Sequence, residues 1–227
     1  MADEPLAFDS EQFGGAARVF PLPGMVMFPH VMQALHIFEP RYRALLAEAL
    51  DTDRLITMAT YATSPAGDAV RPPLEPLACL CRIATHQRAA DGTSNVLLLG
   101  VRRLRLGAEV ESDRPFRVFE AEILEDREPD VPEAARAALQ VDLLEAFRRT
   151  LPKIPQAQEQ LDQLLAADVS LGMLTDIVAY SLDLDVRWKI RLLAESDVAR
   201  RTRLLVEALS ARPTRGGRPF PPPFSLN

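Results

Sequence analysis

Phe20-Pro21-Leu22-Pro23-Gly24-Met25-Val26-Met27-Phe28-Pro29, followed shortly by Leu35-His36-Ile37-Phe38-Glu39-Pro40-Arg41-Tyr42, is the stretch that decides the fold. It packs a strand, a proline turn, a second strand and a helix start into little space. Pro21, Pro23 and Gly24 impose the turn, because proline fixes φ and glycine tolerates φ values other residues avoid. Pro40 suits the first turn of a helix, where its missing N–H has no partner to lose. Behind it, Tyr42, Leu45, Leu46, Ala49 and Leu50 form one apolar stripe. Met25, Val26 and Met27 are successive, so a strand cannot bury all three on one face. Two readings stay open for them: a strand buried on both sides, or an adaptable methionine surface that repacks around varied partners.

Outward from that stretch the chain divides into zones. Residues 1–16 read as a flexible acidic leader. Residues 17–128 read mostly as β. Leu55 to Tyr61 and Ala78 to Ala84 are rich in strand formers, and Phe116 to Ile123 alternates with period two. Ala90-Asp91-Gly92-Thr93 is a turn joining the strand before it to a longer one opening at Asn95. Residues 129–211 read as helices. The first covers about 132–150 with Leu139, Leu143, Leu144 and Phe147 inward, and a second covers about 156–166. A third follows an N-cap at Ser170, a fourth a cap at Asp185, and the last opens at Ser196-Asp197. The charged, proline-bearing run from Glu125 to Pro132 marks the boundary. Residues 212–227 read as a disordered Pro-rich tail. The fold class is therefore α+β, a β domain followed by a helical bundle.

Composition narrows the function. The 227 residues are 48% hydrophobic, enough for a sizeable core, and the net charge of −6 argues against a dedicated nucleic-acid binder. No apolar run is long enough for a membrane span, and the start is not a secretory signal. Cys79 and Cys81 lie two apart on a strand, point the same way and cannot easily bridge. Reduced thiols in a cytoplasmic protein fit best.

Chemistry is hard to find. Walker-type, dinucleotide-binding and nucleophile-elbow motifs are absent. A Ser–Lys dyad would have to use Lys153 or Lys189, both in the helical zone. His30, His36, His86, Cys79 and Cys81 lack the spacing of a metal site, so neither metal nor cofactor is expected. Glu39 and Arg41 flank the helix start. Glu39 suits the positive end of the helix dipole, and Arg41 is expected to pair with an acidic strand residue. In Arg102-Arg103-Leu104-Arg105-Leu106, Arg103 and Arg105 are expected to project to one side and the leucines to the other.

Together these segments resemble the amino-terminal substrate-recognition domain of Lon proteases. The likeness rests on Phe20-Pro21-Leu22-Pro23, Phe28-Pro29 and His36-Ile37-Phe38-Glu39-Pro40-Arg41-Tyr42. It continues through Gly100-Val101-Arg102-Arg103, Leu174 to Ala179 and Leu192 to Val198. The resemblance implies a PUA-like β pseudo-barrel followed by an α-helical bundle. It also implies a module that recruits protein substrates for an ATPase and peptidase. With none of those nucleotide or peptidase motifs present, the expectation is a stand-alone, non-catalytic recognition domain.

On this reading the partners are unfolded or misfolded polypeptides, with a protease as a further candidate. Neither membrane nor nucleic acid is an expected partner. The candidate peptide-binding residues are Leu22, Met25, Met27, Phe28, Glu39 and Arg41, with the cleft between the β and α zones nearby. The alternatives are an RNA-binding PUA-like protein, carried by Arg102, Arg103 and Arg105, and an adaptor that docks on a protease through its tail. Burying roughly 400 Å² of apolar client surface is worth near 10 kcal/mol before ordering costs, which consume most of it.

Overall fold

Strand formers and prolines place the first elements. In this computed structural model, which describes residues 8, 10, 13–62, 71–128, 131–150 and 169–210, β1 (Ala16–Leu22) runs into the proline turn, β2 (Met32–Ile37) follows, and α1 (Pro40–Asp51) starts on its proline. Then come β3 (Leu55–Thr60), β4 (Leu77–Arg88), β5 (Ser94–Val110) and β6 (Arg117–Leu124). The helices of the second zone are α2 (Glu133–Thr150), α3 (Leu171–Ser181), α4 (Val186–Ala194) and α5 (Val198–Ser210). The expected helix at 156–166, the leader's first residues and the tail lie outside the described residues. The chain divides into two compact units between Leu124 and Glu125.

In the first unit the sheet order is β2-β5-β4-β3-β1-β6, and β5 also pairs with β6. That last pairing closes β5-β4-β3-β1-β6 into a ring, the β pseudo-barrel, and leaves β2 attached to β5 outside it. β1 and β3 are parallel, so the chain between them crosses over through β2 and α1. Val19, Leu55, Ala78, Leu80, Leu104 and Phe119 meet in the interior. Both cysteines are buried in β4 as free thiols.

The run Met25 to Phe28 is not a strand. It is an irregular arch whose Val26, Met27 and Phe28 are nonetheless buried. The reason is a close approach of two backbones. His30 N–H donates to the Gly100 carbonyl at 2.8 Å, and Gly100 N–H donates to the Val31 carbonyl at 2.9 Å. A Cβ on residue 100 would sit 2.1 Å from the Phe28 oxygen, so only glycine admits the arch. The arch returns at His30, whose φ of 64° is left-handed.

In the second unit the caps expected at Ser170 and Asp185 are present, accepting from Met173 N–H and Arg187 N–H. Asp197 accepts from Arg200 N–H at 2.9 Å. Leu143, Leu144 and Phe147 of α2 are buried as expected, whereas Leu139 is half-buried. The boundary charges do more than stay wet. Asp126 grips the fully buried Arg201 of α5 with two hydrogen bonds, at 3.0 and 2.5 Å. Asp176 of α3 lies 3.3 Å from the same guanidinium and is itself fully buried. Gly172 leaves room for this cluster, since a Cβ there would lie 3.3 Å from Arg201 and from Asp126. Among the described residues no helix is long and apolar enough to cross a membrane.

Two substitutions test these constraints. Gly100→Ala must push the arch off β5, and guanidinium denaturation should show about 3 kcal/mol of lost stability. Arg201→Ala leaves the buried Asp176 and the half-buried Asp126 without their cation, and the same measurement should show a loss of about 3–5 kcal/mol.

Candidate functional site

The end of β1, the end of β2 and the start of α1 converge on a pocket of about 180 Å³. Its walls include Phe20, Leu22, Ile37, Phe38, Tyr42 and Tyr61, with Pro21 and Pro23 beside them. Each wall has a local cause. Leu22 pairs with Thr60 across the parallel β1–β3 ladder, and the Thr60 hydroxyl donates to the Leu22 carbonyl at 3.0 Å. Alternation along β2 turns Ile37 inward and leaves Phe38 43% exposed. Phe38 stacks on His36 at 6.2 Å, and His36 Nδ1 lies 2.8 Å from Asn95 Oδ1.

α1 is held so that its first turn faces the pocket. Towards its other end Glu48 meets Arg18 at 3.4 Å and Arg114 at 2.7 Å. The hydrogen bond from Arg114, more than any other contact, holds the Glu48 carboxyl below its ordinary pKa. At the pocket end Tyr42 tilts against Phe20, with ring centroids 4.3 Å apart. Burial pushes the Tyr42 hydroxyl well above the ordinary tyrosine value. The Arg41 cation opposes that shift, and a hydrogen bond with Tyr61 adds to it.

Glu39 and Arg41 form the polar rim. Arg41 was expected to seek an acidic strand residue; its partner is Glu39, at 2.8 Å. Helix geometry explains this: Pro40 fixes the turn, and both side chains leave the same end of α1 into solvent. Glu39 is the N-cap residue but makes no side-chain cap, so its carboxylate is available to Arg41. The guanidinium also lies 4.5 Å over the Tyr42 ring.

Three of the six residues singled out for peptide contact, Leu22, Glu39 and Arg41, thus line one pocket. Met27 and Phe28 are in the interior, under the arch that Gly100 admits, and a docking chain would not touch them. Met25 is half-buried in the arch. The basic strand is not a continuous strip either. Arg103 lies on the same side of β5 as Arg105, as the unbroken register requires, but it is buried while Arg105 is exposed. Arg105 faces Glu122 at 3.9 Å. Arg102 donates to the Val101 carbonyl and lies over the Phe8 ring. Phe38 and Tyr61 were missed as site residues. Phe38 was legible, since it continues the outward-facing positions of β2. Tyr61 carried no local signal, because only the tertiary fold brings it beside Tyr42.

Residues 16–211 match the family model described as the ATP-dependent protease La (LON) substrate-binding domain. The chain belongs to this family. Among curated relatives, the Lon protease of Xanthomonas oryzae pv. oryzae is 29% identical over 190 residues, covering 83% of this chain and 22% of that protein. The Lon protease of Heliobacterium modesticaldum is 26% identical over 192 residues, covering 85% and 23%. The chain therefore spans under a quarter of the length of these two relatives. Two solved structures share the fold. A Lon N-terminal domain protein from Xanthomonas campestris aligns with a TM-score of 0.61 at 22% identity, over 87% of this chain and 99% of that one. The N-terminal domain of the Mycobacterium avium complex Lon protease aligns with a TM-score of 0.63 at 20% identity, over 86% and 98%. The similarity is to the substrate-binding domain of these proteases, not to their catalytic part.

The raised Tyr42 pKa has a testable sign. The neutral hydroxyl is favoured in the folded state, so its contribution to stability is full below the ordinary tyrosine value and is lost as pH rises through the raised one. In an alkaline absorbance titration, Tyr42→Phe should remove the tyrosinate signal that coincides with unfolding.

Proposed function

We propose that this domain is a non-catalytic polypeptide-recognition module that takes an apolar side chain of a misfolded or unfolded client into the Phe20–Tyr42 pocket. The observation that carries this reading is the pocket itself: single-side-chain size, aromatic and proline walls, and a charged rim. Family membership supports the same direction, since the relatives are proteases and the matched part is their substrate-binding domain. The Glu39–Arg41 pair is exposed, so it adds little to stability. The donors and acceptors that the pair does not spend on itself can meet a client's peptide groups. In this reading the domain performs no bond chemistry; a protease acting on the held client would supply that step.

Magnitudes set the expected strength. Burying one large apolar side chain is worth about 1.5–3 kcal/mol. Micromolar affinity needs about 8 kcal/mol. The pocket alone therefore gives weak, broad recognition, and tighter binding requires contacts beyond it.

The test is titration of the whole chain into a reduced, alkylated and fluorescein-labelled polypeptide that cannot refold. Saturable binding is expected, with Phe38→Ser weakening it about tenfold. Raising the salt should change the affinity little, unlike the steep loss that phosphate contacts produce. Absence of saturation up to about a hundred micromolar, a range worth some 5–6 kcal/mol, sinks the reading.

A further inference from the structure

β2 is the one strand of the sheet outside the closed ring, and among the described strands it pairs with β5 alone. The direction of its backbone groups follows from one hydrogen bond. Val31 accepts from Gly100 on β5. Bonding alternates along an antiparallel strand, so Gln33, Leu35 and Ile37 also turn their N–H and C=O to β5. Met32, Ala34 and His36 turn theirs the other way. In the middle of that outer edge the Ala34 carbonyl accepts from the Gln33 side-chain amide at 2.6 Å, which stands where a neighbouring strand's N–H would be.

Strand edges are ordinarily guarded by a charge, a proline or a bulge. Met32-Gln33-Ala34-Leu35-His36-Ile37 contains no Asp, Glu, Lys, Arg or Pro. Its register with β5 runs without a break from Met32 opposite Leu99 to Ile37 opposite Ser94. The solvent face of the strand is apolar at both ends. Met32 is 48% exposed and Phe38 is 43% exposed, two of the four large hydrophobic residues so exposed among the described ones. His36, Ile37 and Phe38, which end the strand, also line the pocket.

We infer that the client adds as an extra strand along the outer edge of β2, with one of its side chains entering the pocket. This rests on the reading of the pocket as a polypeptide site and specifies the client: an extended, uncharged segment alternating apolar and polar residues. Backbone hydrogen bonds to Met32, Ala34 and His36 supply affinity without sequence selection, and Met32 and Phe38 flank alternate client side chains. An acidic segment is disfavoured by the chain's net charge of −6. Helical or folded clients cannot present the backbone that this edge requires.

The test uses the whole chain and a short fluorescein-labelled peptide of alternating leucine and serine, N-methylated at one position at a time. Methylation at every second position should weaken binding about tenfold or more, and methylation in between should change it less than about twofold. On the protein side, Ala34→Pro removes an outward N–H that the β2–β5 ladder does not use, an edge position where proline is tolerated. Thermal stability should be kept and affinity lost by a similar factor. If Ala34→Pro unfolds, the N-methyl scan decides alone. Uniform tolerance of N-methylation, with sensitivity to Phe38→Ser retained, overturns strand addition and leaves the polypeptide reading standing. Absence of binding by the unmodified peptide and by the unfolded polypeptide overturns both. Sedimentation showing a dimer that Ala34→Pro dissolves, with peptide affinity unchanged, makes the edge a seam between copies and also overturns the inference.

Discussion

The carbonyl of Phe28 occupies the space where residue 100 would carry a side chain. Much of the first unit depends on that one approach. It lets the 23–31 segment lie flat on β5, with hydrogen bonds through His30 and Val31. It buries Val26, Met27 and Phe28 without a strand. It also delivers β2 to β5 in a fixed register, and so places Ile37 and Phe38 against the end of β1 and the start of α1. A methyl group at residue 100 would shift all of these together, because the obstacle is backbone and not a side chain that can rotate away.

The second unit is organised by the opposite device, a charge taken out of water. Arg201 has no exposed surface and is held by Asp126, Asp176 and the Glu195 carbonyl. Burial acts to lower its pKa, yet the surrounding carboxylates leave the pKa raised, so the guanidinium stays charged. Such a cluster is poor evidence for net stability, since two or more ions have lost their hydration. Its value is directional. A guanidinium that needs both Asp126 and Asp176 fixes how α3, α5 and the segment after β6 meet, whereas leucine contacts alone would permit sliding. Beside it, the Thr175 and Thr202 hydroxyls meet at 2.8 Å and tie the same two helices.

How legible this was depended on whether the signal was local. Pro40, Ser170, Asp185 and the Asp91-Gly92 turn act within a few residues of themselves, so the elements they start or join were readable from spacing. Met25 to Phe28 misled because a run of apolar residues says that a segment is buried without saying that it is a strand. Nothing near residue 28 announces that a glycine some seventy residues later makes room for it. The same limit hid the partner of Arg41, which turned out to be its own neighbour across Pro40, and the burial of Arg103. Arg201 gave a usable hint that went unread. Asp176 is the one charged residue in the otherwise uncharged α3, Leu171 to Ser181, and such a residue calls for a buried counter-charge. The pocket was half legible. Leu22, Glu39 and Arg41 lie in one short stretch, while Tyr61 reaches it only because β3 runs parallel to β1.

β5 serves three partners: β2, β4 and β6. Its pairing with β4 is a hairpin, local in sequence and quick to form, whereas β6 and β1 must return over long separations to close the ring. β2 takes no part in that closure. Its release would cost one ladder and the arch, and would leave five strands in a continuous cycle. The molecule is therefore built from two grades of permanence. Every strand of the ring is paired on both sides, while the strand that borders the pocket is held by a single ladder, the arrangement from which local opening is expected first. On the proposed reading, a client would be held by the strand that lies outside the ring, and the ring itself would stay closed.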